Sequence, residues 1–277
     1  MIANKYTPMS KIGSGTFGTI YRGKYAKTGE YVAIKTELLD TSLQTLKHET
    51  TILNYLHSKG STHTPLVYWY GIHLRQFTLV IPLYERSLEE MIHSNAMSKI
   101  QSMKIVSKMI DILDTIHNLG VLHRDIKPQN FMMRNDDVFL IDFGLSTVYM
   151  DDKKVILPQR ELSSYMLGTP KFVSIHVHNG EDPTRRDDCI SVIYILQYLL
   201  LDGHLYWENV QDKQIGDVKY SENHILYFKN AERKRLKSMH FESIQTASIL
   251  GIILGHLYEM SFIEQPNYQW MRSLLHD

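Results

Sequence analysis

A stretch of nine residues, Leu122 to Asn130, combines three kinds of side chain that phosphoryl transfer uses. Asp125 is a candidate general base, because a carboxylate can accept the proton of an attacking hydroxyl group. Lys127 can neutralise phosphate charge, and the amide oxygen of Asn130 is a ligand of the kind that Mg²⁺ prefers. So short a stretch also arises by chance. The rest of the chain therefore has to supply the other parts of such a site.

A glycine-rich segment lies near the N-terminus, in the sequence Gly13-Ser14-Gly15-Thr16-Phe17-Gly18. Glycines allow the backbone to approach a phosphate group closely, with N–H groups directed at it. A predicted strand follows these glycines, whereas a dinucleotide-binding fingerprint requires a helix at that point. The context favours a phosphate-covering hairpin, and a plain glycine-rich turn is the simpler alternative.

Two further charged residues, Lys35 and Asp142, are candidates for the same site. Lys35 ends an alternating strand and is a candidate phosphate ligand if a glutamate positions it. Glu49, in the middle of the next predicted helix, is the preferred partner, and Glu37 is an alternative that lies nearer in sequence. Asp142 follows an apolar strand, where it can form a turn or bind Mg²⁺ together with Asn130.

These motifs follow one another in the order found in protein kinases: the glycine-rich loop, V-A-I-K at 32–35, a helical glutamate, H-R-D-x-x-x-x-N at 123–130 and D-F-G at 142–144. The resemblance implies ATP and Mg²⁺ as cofactors. It implies that Asp125 deprotonates the acceptor hydroxyl and that Lys35, paired with Glu49, binds the α- and β-phosphates. Asn130 and Asp142 are the implied Mg²⁺ ligands.

The chain further resembles the casein kinase I family of serine/threonine kinases over nearly its whole length. The segments KIGSGTFGTIYRG (11–23) and HRDIKPQNFMM (123–133) are similar to that family's. Ser174-Ile175-His176 stands where most protein kinases have A-P-E and where this family has S-I-N, so His176 replaces an Asn. Arg185-Arg186-Asp187-Asp188 resembles the R-R-D-D of the family.

This resemblance implies further roles around the catalytic loop. Lys127 would neutralise charge on the transferring phosphoryl group, and Thr169 would hydrogen-bond Asp125 and Lys127. Asp188 would brace the loop, with a helix N-cap as the alternative. Pro82 has no N–H, but the family uses only the carbonyl at that position. The implied ATP-binding residues are Ile12, Gly13, Ser14, Gly15, Gly18, Ile20, Ala33, Lys35, Glu49, Ile81, Pro82, Tyr84, Met132 and Ile141.

The family prefers protein substrates whose Ser or Thr lies near an upstream phosphate or acidic residue. The matching basic positions here are Lys171 and Lys219, with Arg185 as a third candidate, and a solvated surface lysine is the alternative interpretation. Lys171 stands where an Arg is usual. Because a lysine cannot bind phosphate in a bidentate manner, this change predicts looser selectivity for primed substrates.

Holding these groups in place requires two kinds of structure. Alternating patterns predict strands in residues 6–36, 67–70 and 77–81, and helical spacing predicts a helix at 43–57. The remainder is mostly helical, with helices predicted at 102–118, 188–202, 222–238 and 243–260. The predicted fold class is α+β: one bilobal protein kinase domain, with a β-rich lobe at about 1–82, a hinge at about 82–86 and a helical lobe at about 87–277.

Composition and charge limit the classes of partner that the protein is expected to bind. The 277 residues carry no formal net charge, so no global field recruits nucleic acid or an anionic membrane. Cys189 is the single cysteine, which points to an intracellular protein. We expect a basally active cytoplasmic monomer without a regulatory tail. The basic run 233–237 is interpreted as a solvated helix face, with a nuclear signal as the alternative.

Three other functions remain open at this point. A pseudokinase would lack the lysine, the base or a metal ligand, and none of these is missing from the sequence. A small-molecule kinase of related fold fits poorly with Lys127 and the G-T-P-K-F segment at 168–172. A scaffold that binds phosphorylated segments through its basic groups is the third alternative.

Overall fold

A computed structural model describes residues 1–15, 18–40, 44–94, 97–151, 153–159, 166–208, 222–244 and 248–276. The chain divides into two compact units. The first comprises Met1–Leu88 and Asn130–Ser146, and the second comprises Glu89–Gln129 and Thr147–Asp277. The sequence interpretation assigned residues 130–146 to the second lobe, whereas their contacts place them in the first unit.

The strands and helices of both units have the following bounds. The strands are β1 (Tyr6–Gly15), β2 (Gly18–Tyr25), β3 (Tyr31–Leu38), β4 (Trp69–His73), β5 (Gln76–Pro82), β6 (Arg86–Ser87), β7 (Val121–Leu122), β8 (Phe131–Arg134), β9 (Asp137–Leu140) and β10 (Thr147–Val148). The helices are α1 (Thr45–Ser58), α2 (Leu88–Ser94), α3 (Lys99–Asn118), α4 (Ile175–His178), α5 (Arg185–Leu200), α6 (Glu222–Ile244), α7 (Ile249–Glu259) and α8 (Tyr268–His276). This mixture is the α+β architecture that the sequence predicted.

A five-stranded antiparallel sheet of order β1-β2-β3-β5-β4 forms most of the first unit. Alternate residues of β3 face opposite sides of this sheet. Ile34 packs in one apolar cluster with Tyr6 and Val80. Ala33 packs in another cluster, which contains Leu46 of α1. Residues 35 and 37 share the side of Ala33, and this alternation brings their polar side chains to α1.

The second unit is built around α5, which is buried along nearly its whole length and packs on α3 and α7. An intrahelical cap fixes the start of α5, because Asp187 accepts hydrogen bonds from the backbone N–H (2.8 Å) and hydroxyl (3.1 Å) of Thr184. This start presents Asp188 toward β7 and the residues that follow it. Among the helices of the described residues, none combines the length and apolarity that crossing a bilayer would require.

Candidate active site

Lys35 forms a buried ion pair with Glu49 of α1, with Nζ 2.7 Å from Oε1. Its ammonium group also lies 3.6 Å from Oδ1 of Asp142. Burial by itself lowers the pKa of Lys35, but the charges of Glu49 and Asp142 outweigh it and raise the pKa to about 12. Lys35 is therefore a fixed cation beside a carboxylate that is 47% exposed. Such a cation is suited to binding the phosphates of a nucleotide.

Glu37, the alternative partner of Lys35, has a different role in the structure. Its carboxylate is fully buried and accepts hydrogen bonds from the backbone N–H groups of Thr45 (3.1 Å) and Leu46 (3.0 Å). The side chain of Gln44, at the start of α1, makes no capping bond. Glu37 thus satisfies the free N–H groups of the first turn of α1 from the neighbouring strand.

Asp142 projects from a backbone in the left-handed region, with φ of 68°. Aspartate tolerates this conformation better than most residues. The next residue, Phe143, is fully buried, and its carbonyl accepts a hydrogen bond from the Ser146 hydroxyl at 2.6 Å. His48 of α1 bonds the Ser146 carbonyl at 2.9 Å. The helix that supplies Glu49 therefore also holds the segment that carries Asp142.

The glycine-rich segment forms the predicted hairpin, because β1 and β2 pair up to Gly15 and Gly18. A Cβ atom at Gly18 would lie 1.9 Å from the Thr36 carbonyl oxygen. Only glycine fits at that position. Thr16 and Phe17 lie outside the described residues.

The apolar residues predicted to surround ATP all belong to the first unit. Ala33 of β3 stands opposite Ile81 of β5, and Val32 stands opposite Pro82. The predicted ATP-binding residues differ in exposure. The buried ones are Ala33, Ile81, Pro82 and Tyr84, the partly buried ones are Gly13, Ile20, Met132 and Ile141, and the exposed ones are Ile12, Ser14 and Gly18. The role of these residues in binding ATP stays a prediction.

Asn130 ends a single 3₁₀ turn, Pro128–Asn130, and is buried. Its carbonyl accepts a hydrogen bond from the backbone N–H of Ile141 at 2.9 Å, one residue before Asp142. An amide and a carboxylate supply the oxygen ligands that a hard cation such as Mg²⁺ takes. These two residues therefore fit the predicted metal site in their chemistry.

The predicted base, Asp125, lies in the second unit and is held at both oxygens. Oδ1 accepts a hydrogen bond from the Thr169 hydroxyl at 2.7 Å, and Oδ2 lies 2.6 Å from Nζ of Lys127. Gly168 precedes Thr169 with φ of +90°, and a Cβ atom there would lie 2.6 Å from the Arg124 carbonyl oxygen. The segment that begins at Gly168 thus approaches the base through direct contact with its loop.

Asp188 supports this loop by binding its backbone. Its carboxylate accepts hydrogen bonds from the N–H groups of His123 (2.8 Å) and Arg124 (2.9 Å) and lies 3.0 Å from Nε2 of His117. Burial alone would raise the pKa of Asp188, but His117 and the His123 N–H stabilise its anion and lower the pKa below the ordinary value. The capping role belongs to Asp187, so Asp188 is free to brace the loop.

Sequence reasoning missed Lys237, which it placed on a solvated helix face. The side chain is almost completely buried, and Nζ donates hydrogen bonds to the carbonyls of Pro170 (2.9 Å) and Val173 (2.6 Å). It also lies 3.1 Å from Nε2 of His178. Lys237 thus holds the segment that follows Thr169. The basic run around it gave no local signal of this burial.

The residues predicted to bind a substrate anion are already engaged where they are described. Lys171 pairs with Glu208, with Nζ 2.7 Å from Oε1. Arg185 is buried and donates to the Ile263 carbonyl at 2.5 Å, and its guanidinium lies 5.1 Å from the centre of the Tyr149 ring. Arg185 therefore supports the fold, and we leave it out of the anion site. Lys219 lies outside the described residues.

The first unit carries the buried Lys35–Glu49 pair, and the second carries Asp125, whose two carboxylate oxygens are both contacted. In a comparison with known families, the protein kinase domain model matches residues 6–273. The chain belongs to the protein kinase family. It is also 31% identical, over its full length, to a probable serine/threonine-protein kinase of Dictyostelium discoideum, and it spans 54% of the length of that relative.

Proposed function

We propose that this protein is a serine/threonine protein kinase that transfers the γ-phosphate of ATP to hydroxyl groups of protein substrates. The observation that carries the proposal is the environment of Asp125, whose two oxygens contact Thr169 and Lys127 at 2.7 and 2.6 Å. A carboxylate next to a lysine suits a reaction in which a hydroxyl is deprotonated close to a phosphoryl group. The similarity to the Dictyostelium protein supports the same acceptor class.

In this proposal the acceptor oxygen attacks the γ-phosphorus, its proton passes to Asp125, and ADP leaves. Lys127 neutralises charge on the transferred group, while Lys35, fixed by Glu49, orients the α- and β-phosphates. Asn130 and Asp142 would hold Mg²⁺, which stabilises negative charge on the phosphates when it is bound. The fixed cation at Lys35, 3.6 Å from Asp142, suits this assignment.

The finer part of the proposal concerns the substrate. The likeness of residues 174–176 and 185–188 to the casein kinase I family supports a preference for acidic or phosphate-primed sites. The hydrogen bonds of Thr169 and Lys237 support basal activity, because they hold residues 169–173 against Asp125 and α6. A cytoplasmic monomer belongs to the same proposal.

The test is transfer of labelled phosphate from ATP to casein by the purified protein with Mg²⁺, before and after phosphatase treatment. We expect transfer to serine and threonine, unchanged by the phosphatase and lost in Asp125→Asn. Asp111→Asn is the matched control, since that carboxylate is 60% exposed and pairs with Arg272. Absence of transfer by the wild-type protein, or equal transfer by Asp125→Asn, would refute the proposal.

A further inference from the structure

We infer that Glu208 sets the substrate specificity of this protein, by occupying the cationic group of Lys171 in competition with an anionic side chain of the substrate. The inference rests on the proposed function and deepens it. In this inference, the ion pair between Lys171 and Glu208 determines the selectivity for primed substrates. Glu208 lies outside every motif identified in the sequence.

Lys171 is positioned close to the base by its own backbone. It follows Thr169, which bonds Asp125, by two residues. Its carbonyl accepts a hydrogen bond from Nε1 of the fully buried Trp207 at 2.8 Å, and the Phe172 carbonyl accepts one from the Ser191 hydroxyl at 2.8 Å. The backbone at Lys171 is therefore fixed, and its side chain projects from a segment that adjoins the reacting group.

The carboxylate of Glu208 is held in place for this ion pair. The other carboxylate oxygen of Glu208, Oε2, accepts a hydrogen bond from the Leu205 N–H at 3.2 Å. Burial alone would raise the pKa of Glu208, but the bonds from Lys171 and Leu205 lower it below the ordinary value. The acid is thus anionic at neutral pH. Nζ of Lys171 also lies 4.0 Å from the centre of the Tyr198 ring, a cation–π contact that helps to hold the amine in place.

The pair remains open to exchange. The side chains of Lys171 and Glu208 are 22% and 29% exposed, so solvent and a peptide can reach them. Because Lys171 and Glu208 carry opposite charges, the pair presents no net charge to an approaching anionic group of the substrate. A phosphate group, with nearly two negative charges and three acceptor oxygens, competes with Glu208 better than a single carboxylate does. We therefore expect phosphoserine near the acceptor to be preferred over aspartate at the same position.

The experiment compares three peptides with the same acceptor serine and with phosphoserine, aspartate or alanine at one upstream position, scanned from one to four residues away. In Glu208→Gln, the ratio of kcat/KM for the phosphoserine peptide to that for the alanine peptide is expected to rise about two- to fivefold, the range of a partly exposed ion pair. The aspartate peptide is expected to gain less, and the KM for ATP to stay unchanged. Adding Lys171→Met to Glu208→Gln should abolish the gain.

Glu232→Gln is the matched control, since Glu232 is 28% exposed and forms a comparable pair, 2.6 Å from Arg235. It should leave the ratio at the wild-type value. Direct binding of the labelled phosphoserine peptide, followed by fluorescence anisotropy, tests the same competition without catalysis. Glu208→Asp, which shortens the acid, provides a second variant should Glu208→Gln fold poorly.

An unchanged ratio and unchanged peptide binding in Glu208→Gln would overturn the inference. So would an equal gain for all three peptides, because that result would reflect a general change in activity. Failure of the proposed function looks different: no peptide is phosphorylated by the wild-type protein, while phosphopeptide binding still reports on the role of Glu208.

Discussion

Asp188 holds the backbone of the two residues that precede the predicted base, Asp125. One carboxylate serves two backbone N–H groups, those of His123 and Arg124, and the ring of His117. The R-R-D-D motif predicted its presence, whereas its partners lie 64 to 71 residues away and can be known only from the fold. A buried acid with three partners supports both the loop and the stability of the protein.

We expect Asp188→Asn to lower the free energy of unfolding by about 3 kcal/mol, since an amide replaces a buried anion that binds several donors. Phosphate transfer should fall as well, because the backbone that carries Asp125 loses its support. Urea unfolding followed by circular dichroism measures the first effect. An unfolding midpoint equal to that of the wild-type protein would show that the carboxylate charge contributes nothing to the loop.

At the scale of single elements, α1 is held to β3 by two acids of different function. Glu49 on the second turn of α1 binds Lys35, and Glu37 on the strand caps the first turn. Lys35 and Glu37 alternate onto the same face of β3, so one strand fixes the helix at two points. Glu37 therefore acts as a positioning residue for the Lys35–Glu49 pair.

A double-mutant cycle tests this coupling. Glu37→Gln weakens the cap, an effect worth about 1 kcal/mol, and we expect the KM for ATP to rise about fivefold. In a Glu49→Gln background the same change should have little effect, because the pair that Glu37 positions is already lost. Glu30→Gln, at the exposed β2–β3 turn, serves as the control. The same fold-change in both backgrounds would show that Glu37 does not act through Glu49.

Local pattern predicted these elements well where periodicity is strong. A helix was expected at 43–57 and lies at Thr45–Ser58, and the strand expected at 77–81 is Gln76–Pro82. The helices expected at 188–202 and 243–260 are Arg185–Leu200 and Ile249–Glu259. Their starts differ from the apolar pattern because capping residues stand directly before them, Thr184 and Ser248.

Partners that are distant in sequence could not be predicted from the same patterns. Lys237 bonds residues 64 and 67 positions away, and Glu208 reaches Lys171 across 37. Their local sequence has the composition of an exposed surface. The candidate site residues follow from the motifs, whereas the residues that hold them depend on tertiary packing.

At the scale of the whole molecule, the chain leaves the first unit after Leu88 and returns to it at Asn130. This boundary divides the stretch from Leu122 to Asn130, since Asp125 and Lys127 belong to the second unit and Asn130 to the first. Neither unit is one contiguous piece of chain. The residues predicted to bind nucleotide and metal therefore lie in the first unit, and the predicted base lies in the second.

The pH dependence of stability is a property of the whole molecule, and two partly buried histidines contribute to it. Burial lowers the pKa of His178 to about 3, and the positive charges of Lys237, Arg233 and Lys234 contribute to the decrease, while the Pro170 carbonyl opposes it. Burial lowers the pKa of His240 as well. An unfolded histidine has a pKa of about 6.5. Between these values the unfolded state binds a proton that the folded state does not.

Stability must therefore fall as the pH decreases from about 6.5 toward 3, by up to about 1.4 kcal/mol per pH unit for His178 alone. We expect His178→Gln to lower this slope by about that amount, since glutamine does not titrate and keeps a polar group near Lys237. His93→Gln, whose side chain is 64% exposed, should leave the slope unchanged. Urea unfolding at pH 5.0, 6.0 and 7.0 provides the comparison. If His178→Gln and wild-type protein lose stability in parallel, His178 becomes protonated in the folded state, and the acid sensitivity of the molecule has another source.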